Sequence, residues 1–356
     1  MGSISEIPKT QRVAMSDTPE TGAKIIEHPV VQPENLKPGE ALVRLAYSGV
    51  CHSDTQLLGL CFTLNDPKVV GHEGAGEIVA INDPLSKLKV GDKVGIKFIA
   101  DTCNQCEFCL DGHDMLCAHM KWSGRHVDGT FQQYAVSYTS QLTPIPEGLD
   151  LAHAAPILCA GVTTYKAVKE MGCKAGDWVA LPGAGGGLGC LALQYAKYMG
   201  YRTIAVDTGA DKKALCETLG ADAWVDFKQT DDIVKAIKAA TTDGLGPQGA
   251  VITSPRPEAY ETAMQYIRPT GTVVAVGLPH GGAKIHCDVR DTVMLKKKLK
   301  GSNVGNRKEA IEALQIVASG KVTCPIEIRP FDQLNQTLDD LKAGKISGRV
   351  VLDLHK

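Results

Sequence analysis

The chain has 356 residues, a formal charge of −2, 44% apolar residues and 22% charged ones. That length asks for two domains, and that composition fills cores and excludes bulk disorder. The near balance of charge excludes nucleic acid as the main partner, because a phosphate binder carries a basic excess.

The short basic run Lys296-Lys297-Lys298, with Lys300, reads as a solvated surface. The first eight residues carry Glu6 and lack the apolar core of a secretory signal. Residues 178–196 are uncharged and long enough to cross a bilayer. They hold Pro182 and five glycines, however, which is the pattern of a strand, a tight turn and a helix start. A cytoplasmic protein with no membrane partner is expected. Twelve cysteines without a signal peptide are then metal ligands, catalytic groups or buried apolar residues rather than disulfides.

Short β-branched runs at 41–47 and 76–81 predict strands, separated by turns such as Lys37-Pro38-Gly39-Glu40 and Val90-Gly91-Asp92. No long helical period precedes about residue 150. Strands are then predicted at 178–181, 202–207, 224–227, 250–253 and 272–276, alternating with helices at 191–199, 212–219, 231–240 and 258–267. That alternation implies a parallel sheet with helices on both faces. A helix at 307–318 and final strands return to the first domain. The expected fold class is α/β, with a β-rich domain made of both chain ends (1–160 and 304–356) and a doubly wound domain between them (161–303).

Cys103, Cys106, Cys109 and Cys117 have the spacing C-x2-C-x2-C-x7-C, within a lobe at 100–118. Four thiolates this close converge on one ion when the loop folds around it. A closed Cys₄ shell leaves no position for substrate, so a structural zinc is expected. An iron–sulfur cluster uses similar runs, but the x7 gap and the missing Cys-Pro make it the poorer match.

Cys51-His52-Ser53-Asp54 follows one predicted strand, Gly71-His72-Glu73-Gly74-Ala75-Gly76 precedes another, and Cys159 sits at the domain change. Singly, each has a bland reading as a buried thiol or a satisfied imidazole. Together, two thiolates and one imidazole make a zinc set with one open position, a Lewis acid that lowers the pKa of a bound hydroxyl. Asp54 is placed to orient His72 through its other ring nitrogen, and Glu73 to approach the metal when the fourth ligand leaves.

Gly183-Ala184-Gly185-Gly186-Gly187-Leu188-Gly189 sits between a predicted strand and helix. Such a turn lets the backbone and the helix N-terminus meet a pyrophosphate. Its spacing is one residue longer than G-x-G-x-x-G. Asp207, at the end of the next strand, suits a ribose 2′-hydroxyl and repels a 2′-phosphate, which favours NAD over NADP. Lys212 and Lys213 soften that preference.

This order of motifs resembles the zinc-dependent medium-chain alcohol dehydrogenases, most closely their yeast and fungal branch. Ser48-Gly49-Val50-Cys51-His52, Thr130-Phe131-Gln132-Gln133-Tyr134-Ala135, Ala155-Pro156-Ile157-Leu158-Cys159-Ala160-Gly161 and Val304-Gly305-Asn306-Arg307 carry the likeness, which runs from about Val43 to Leu354. The resemblance implies a GroES-like catalytic domain, a Rossmann domain, two zinc ions per chain, NAD(H), a small alcohol or aldehyde substrate and a cytosolic homotetramer. By it, Cys51, His72, Cys159 and the exchangeable Glu73 hold the catalytic zinc, and Ser53 exchanges the proton of the bound alcohol. His52 and Arg349 meet the pyrophosphate, while Gly186, Gly187 and Leu188 line the dinucleotide turn. Asp207 and Lys212 hold the adenosine ribose, with Phe227 near the adenine. Val276 and Leu278 flank the nicotinamide, with Ser302 and Val304 nearby.

Two departures stand out. Gln56 occupies a position where a histidine often ends the proton relay, and an amide cannot take up a proton. Protons are then expected to leave through the ribose hydroxyl and water. The stretch between Cys51 and His72 is also shorter than in yeast ethanol dehydrogenases, whose tryptophans narrow the pocket. Leu57, Leu60, Phe62 and Phe98 stand there instead, and a primary alcohol larger than ethanol is expected. Two rival readings share these motifs: an NADPH-dependent aldehyde reductase, and a non-catalytic, zinc-stabilised dinucleotide-binding protein.

Overall fold

In the computed structural model, which describes residues 6–18, 22–55, 68–279 and 282–356, the β-branched runs of the first half form antiparallel ladders. β1 (Thr10–Thr18) pairs with β2 (Gly22–Pro29). β3 (Glu40–Val50) is the spine of a larger sheet and pairs antiparallel with β4 (Gly74–Asn82), which continues to β5 (Lys93–Ile96). β6 (Ile99–Asp101) and β7 (Lys121–Trp122) form a separate two-stranded pair around the cysteine lobe. β8 (Tyr134–Tyr138) joins β3 on a second register, and β9 (Thr143–Pro144) extends β5. Inward-facing Val43, Leu45, Ile78, Val94 and Phe131 are fully buried, so the period-2 pattern sets which face meets the core.

The chain then builds a six-stranded sheet from β10 (Trp178–Pro182), β11 (Arg202–Asp207), β12 (Ala223–Asp226), β13 (Gly249–Ile252), β14 (Thr272–Ala275) and β15 (Lys298–Gly301). The order is β12-β11-β10-β13-β14-β15, and every pair is parallel. Strand order reverses beside β10, which makes its C-terminal end the switch point of a doubly wound sheet. Each element predicted between 178 and 276 is present, with ends displaced by at most two residues. Caps account for some of these ends: Asp232 accepts from Lys235 N and starts the helix Ile233–Ala239.

β15 is a strand that the sequence pattern does not predict, because its basic run reads as solvated surface. That reading is corrected at Lys297, which is 6% exposed and donates from Nζ to Met264 O at 2.7 Å. Lys298 and Lys300 do stand out from the edge strand.

The helix Arg307–Ala318 follows, then β16 (Ile326–Pro330) and β17 (Arg349–Asp353). β17 lies antiparallel beside β3, with Val350 opposite Val50. The chain thus divides into two compact units. One comprises residues 1–159, 306–318 and 325–356, and the other comprises 160–305 and 319–324.

Candidate metal centre and dinucleotide turn

The ladders of the first unit determine where its ligand atoms meet. Ser48 of β3 stands opposite Gly74 of β4, so Cys51 leaves one strand beside His72 and Glu73 entering the other. Cys159 follows the short turn Ala155–Leu158. One ligand atom each from Cys51, His72, Glu73 and Cys159 lies within 4.8 Å of the others, and all four residues are buried.

Asp54 fixes this geometry. It is 0% exposed and its two oxygens take two donors: Cys51 N at 2.8 Å and His72 Nδ1 at 2.7 Å. An ionised carboxylate only accepts, so the imidazole proton sits on Nδ1. The opposite nitrogen, Nε2, is buried and has no hydrogen-bond partner among the described residues. A buried lone pair without a donor is costly, and here it shares a site with two sulfurs and a carboxylate. That donor set fits zinc.

The hydrogen bond from Cys159 holds the Cys51 thiol well below its ordinary range, with His72 and Arg349 adding to the effect against burial. The Cys159 thiol is pushed well up by the Cys51 sulfur and by burial. Burial disfavours a charged His72, but Asp54 outweighs it and raises the imidazole. Burial pushes Glu73 up to about 7, opposed by Arg349.

Arg349, the first residue of β17, is 5% exposed, and its Nη2 reaches both oxygens of Glu73, Oε2 at 2.6 Å. The resemblance put this guanidinium on a pyrophosphate; the partner it has here is Glu73. A β-carbon at Gly49 would lie 2.0 Å from Glu73 Oε2, so only glycine leaves room for that carboxylate. Ser53 is half-buried with Oγ 3.7 Å from Cys51 Sγ, and His52 is exposed.

The second cluster has the dimensions of a metal shell. Sγ–Sγ distances are 4.0 Å for Cys103–Cys109, 3.6 Å for Cys106–Cys109 and 3.6 Å for Cys117–Cys103. A tetrahedron with Zn–S bonds of about 2.3 Å has edges of about 3.8 Å, whereas a disulfide needs about 2.05 Å. Backbone N–H groups of Cys103 and Cys106 point at Cys117 Sγ and Cys103 Sγ, both at 3.4 Å. The N–H groups of Gln105 and Cys106 hold the Cys103 thiol down at about 6, while burial pushes Cys109 up to about 12.

In the second unit, β10 ends at Pro182 and Gly183 turns the chain with φ +87. The next helix, Gly189–Tyr198, starts so close that a β-carbon at Gly189 would lie 2.0 Å from Gly183 O. Gly186, Gly187 and Leu188 are half-buried between these two glycines. Asp207, at the end of β11, accepts from Gly185 N at 3.0 Å, Thr208 N at 2.9 Å and Lys212 Nζ at 3.0 Å. Phe227 lies under the Arg256 guanidinium, 5.9 Å from the ring centroid. Val276 and Val304 are half-buried, Ser302 N donates to Ala275 O at 2.9 Å, and Leu278 is 67% exposed.

Of the predicted substrate residues, Leu57, Leu60 and Phe62, like Gln56, lie outside the described residues. Phe98 meets the His72 ring edge-on, with centroids 5.3 Å apart. Trp122 lies against Phe98 at 5.2 Å. Sequence reasoning missed this indole. It follows the cysteine lobe closely, but only the β6–β7 pairing brings it to Phe98.

Two family models match the chain: "Alcohol dehydrogenase GroES-like domain" at residues 37–147 and "Zinc-binding dehydrogenase" at 187–319. Alcohol dehydrogenase 1 of Neurospora crassa is 42% identical over 99% of both chains. Alcohol dehydrogenase 1 of Emericella nidulans is 44% identical over 89% of this chain and 91% of its own. Among solved structures, the alcohol dehydrogenase of the archaeon Aeropyrum pernix superposes with a TM-score of 0.85 at 29% identity, covering 96% of this chain and 99% of that one. The acetophenone reductase of Geotrichum candidum, solved in complex with NAD, gives 0.83 at 27% identity, covering 98% of each chain. The chain belongs to the zinc-dependent alcohol dehydrogenase family and is an oxidoreductase acting on alcohols.

Proposed function

We propose that the chain interconverts primary alcohols larger than ethanol with their aldehydes, using NAD(H) and two zinc ions. The observation that carries this reading is the partnerless Nε2 of His72, buried beside Cys51, Cys159 and Glu73. Zinc bound there supplies Lewis acidity toward the alcohol or carbonyl oxygen, and the nicotinamide supplies the hydride chemistry. Cys51, His72 and Cys159 bind the ion, with Glu73 as the exchangeable fourth ligand. Ser53 holds or releases the substrate proton at Oγ, and Gln56 takes no proton in turn. The Cys103–Cys106–Cys109–Cys117 set holds the second ion and orders its lobe.

The NAD preference is supported by the pairing of Lys212 with Asp207 and of Lys213 with Glu217, at 3.0 and 3.7 Å. Neither lysine then stands free to neutralise a 2′-phosphate beside the Asp207 carboxylate. The reductase of Geotrichum candidum, solved with NAD, agrees with this choice. The larger substrate is supported by the absence of tryptophan from residues 52–71.

A cytoplasmic homotetramer completes the proposal. β15 supports self-association, since all four of its residues are exposed at the open edge of a sheet. Val289, Val293 and Met294, on the helix just before it, are 67–74% exposed. No helix among the described residues is long and apolar enough to cross a membrane.

The test measures zinc per chain, native mass, and initial rates with NAD(H) and NADP(H) on alcohols from ethanol to cinnamyl alcohol. Two zincs and faster turnover of the bulky alcohols with NAD are expected. One zinc and no turnover would leave a scaffold, and NADPH preference a reductase.

A further inference from the structure

We infer that Arg125 is a specificity-determining residue that, with Trp122, recognises an aromatic alcohol or aldehyde bearing a carboxylate at the end far from the reacting carbon. The inference rests on the reading of Cys51, His72 and Cys159 as the catalytic metal site.

A continuous column leads away from that site. Phe98 meets the His72 ring, Trp122 packs on Phe98, and the Arg125 Cζ lies 4.6 Å from the indole centroid. The turn that carries Trp122 and Arg125 is tied down twice. Ser123 N donates to Phe98 O at 3.0 Å, and Ser123 Oγ to Lys97 O at 2.8 Å. Gly124, with φ +81, packs on the backbone of Gly71, where a β-carbon would come within 3.1 Å of Gly71 O. Arg125 is therefore held one residue from a contact with the segment that presents His72.

In the same unit, Arg44, Arg307, Arg329 and Arg349 each face a carboxylate, whereas Arg125, like Arg12 over Phe331, sits over an aromatic ring. Among the described residues nothing accepts a hydrogen bond from the Arg125 guanidinium. Its Nε and the neighbouring Trp122 Nε1 are shielded from solvent without a partner. Shielded donors of this kind normally have acceptors. A guanidinium fork matches a planar carboxylate, and the Phe98 and Trp122 faces match an aromatic body. One ligand that satisfies both is an aryl aldehyde or alcohol with a distal carboxylate.

The test compares kcat/KM for 4-carboxybenzaldehyde and benzaldehyde in zinc-loaded wild type, Arg125→Gln and Arg125→Lys. The ratio of the two substrates should be at least tenfold higher in wild type than in Arg125→Gln, with the difference in KM. Arg125→Lys, which keeps the charge but not the fork, should fall between them. Terephthalate should quench indole fluorescence saturably in wild type and at least tenfold more weakly in Arg125→Gln. A ratio unchanged by Arg125→Gln, or equal losses on both aldehydes, overturns the inference. If wild type turns over no alcohol or aldehyde, the catalytic reading fails, and the quenching titration alone decides whether Arg125 binds carboxylates.

Discussion

Replacing Asp54 with asparagine tests the metal centre at its most economical point. The carboxylate takes two converging donors, Cys51 N at 2.8 Å and His72 Nδ1 at 2.7 Å, in a site with no exposure. An amide of the same shape has one oxygen and one NH₂ group. It can accept from only one of the two donors, and its NH₂ must face the other. The alternative is for His72 to change tautomer, which moves its proton to Nε2 and covers the lone pair that a metal needs. Removing one such outer contact typically costs 10–100-fold in metal affinity, or about 1.4–2.8 kcal/mol. Because a single carboxylate serves both a ligand side chain and a ligand backbone here, the upper end is expected. Asp54→Asn should weaken zinc at the Cys51–His72–Cys159 site about 100-fold, measured by chelator competition against the apoprotein. The cysteine lobe should keep its ion in the same titration, which shows that the variant is folded. A loss below about threefold at the first site, with the lobe intact, would refute the claim that Asp54 orients the ligands.

Two further outcomes test the rest of the first unit. Cys109→Ser removes one corner of the sulfur tetrahedron, so metal content should fall from two ions to one. Tm should drop by about 5 °C or more, because each kcal/mol moves Tm by about 2–4 °C in chains of 150–250 residues; two ions and an unchanged Tm would refute a structural role. Lys97 is 2% exposed, donates to Gln141 O at 2.5 Å and Gln141 Oε1 at 2.9 Å, and is pulled down to about 7 by burial. The unfolded chain keeps that proton to about pH 10.4 and so binds more protons than the folded one across this window. Stability should therefore rise as pH climbs from about 7, by up to about 1.4 kcal/mol per pH unit from this residue. Lys97→Met should flatten that slope in urea unfolding at pH 7, 8 and 9, and parallel slopes would refute it.

Much of the site was legible because its chemistry is local. The four lobe cysteines lie within fifteen residues, and their spacing alone states that one ion can collect them. Asp54 and Cys51 share one strand end, so a second carboxylate oxygen on Cys51 N needs only a short turn. The alternating strands and helices after residue 178 were equally legible, since short continuous apolar runs such as β11 and β13 alternate there with helical periods. The edge strand β15 was not, because its four exposed residues continue a run of lysines that reads as solvated surface. Lys297 shows the same failure at one residue: charge argued for solvent, but a backbone carbonyl was waiting at 2.7 Å.

What remained hidden depends on strands that are distant in sequence. Glu73 and Arg349 are separated by 276 residues and meet only because β17 returns to lie beside β3. A reader of the sequence sees a carboxylate beside a metal ligand and an arginine near the C-terminus. Nothing in either segment says that the two charges are buried together. Pairing removes the net charge of each from the core, and stripping one partner from a buried pair costs about 3–5 kcal/mol. Glu73 is thus bound by two demands, one from the metal position and one from Arg349. The structure locates the conflict on Gly49, where any side chain would evict the carboxylate. The Phe98–Trp122–Arg125 column is hidden for the same reason. Its members belong to β6 and β7 or to the residues flanking them, strands of three and two residues that carry no periodic signal at all. Short strands are specified by what they tie together, and here they tie an aromatic wall and a guanidinium that no described carboxylate faces to the histidine of the metal centre.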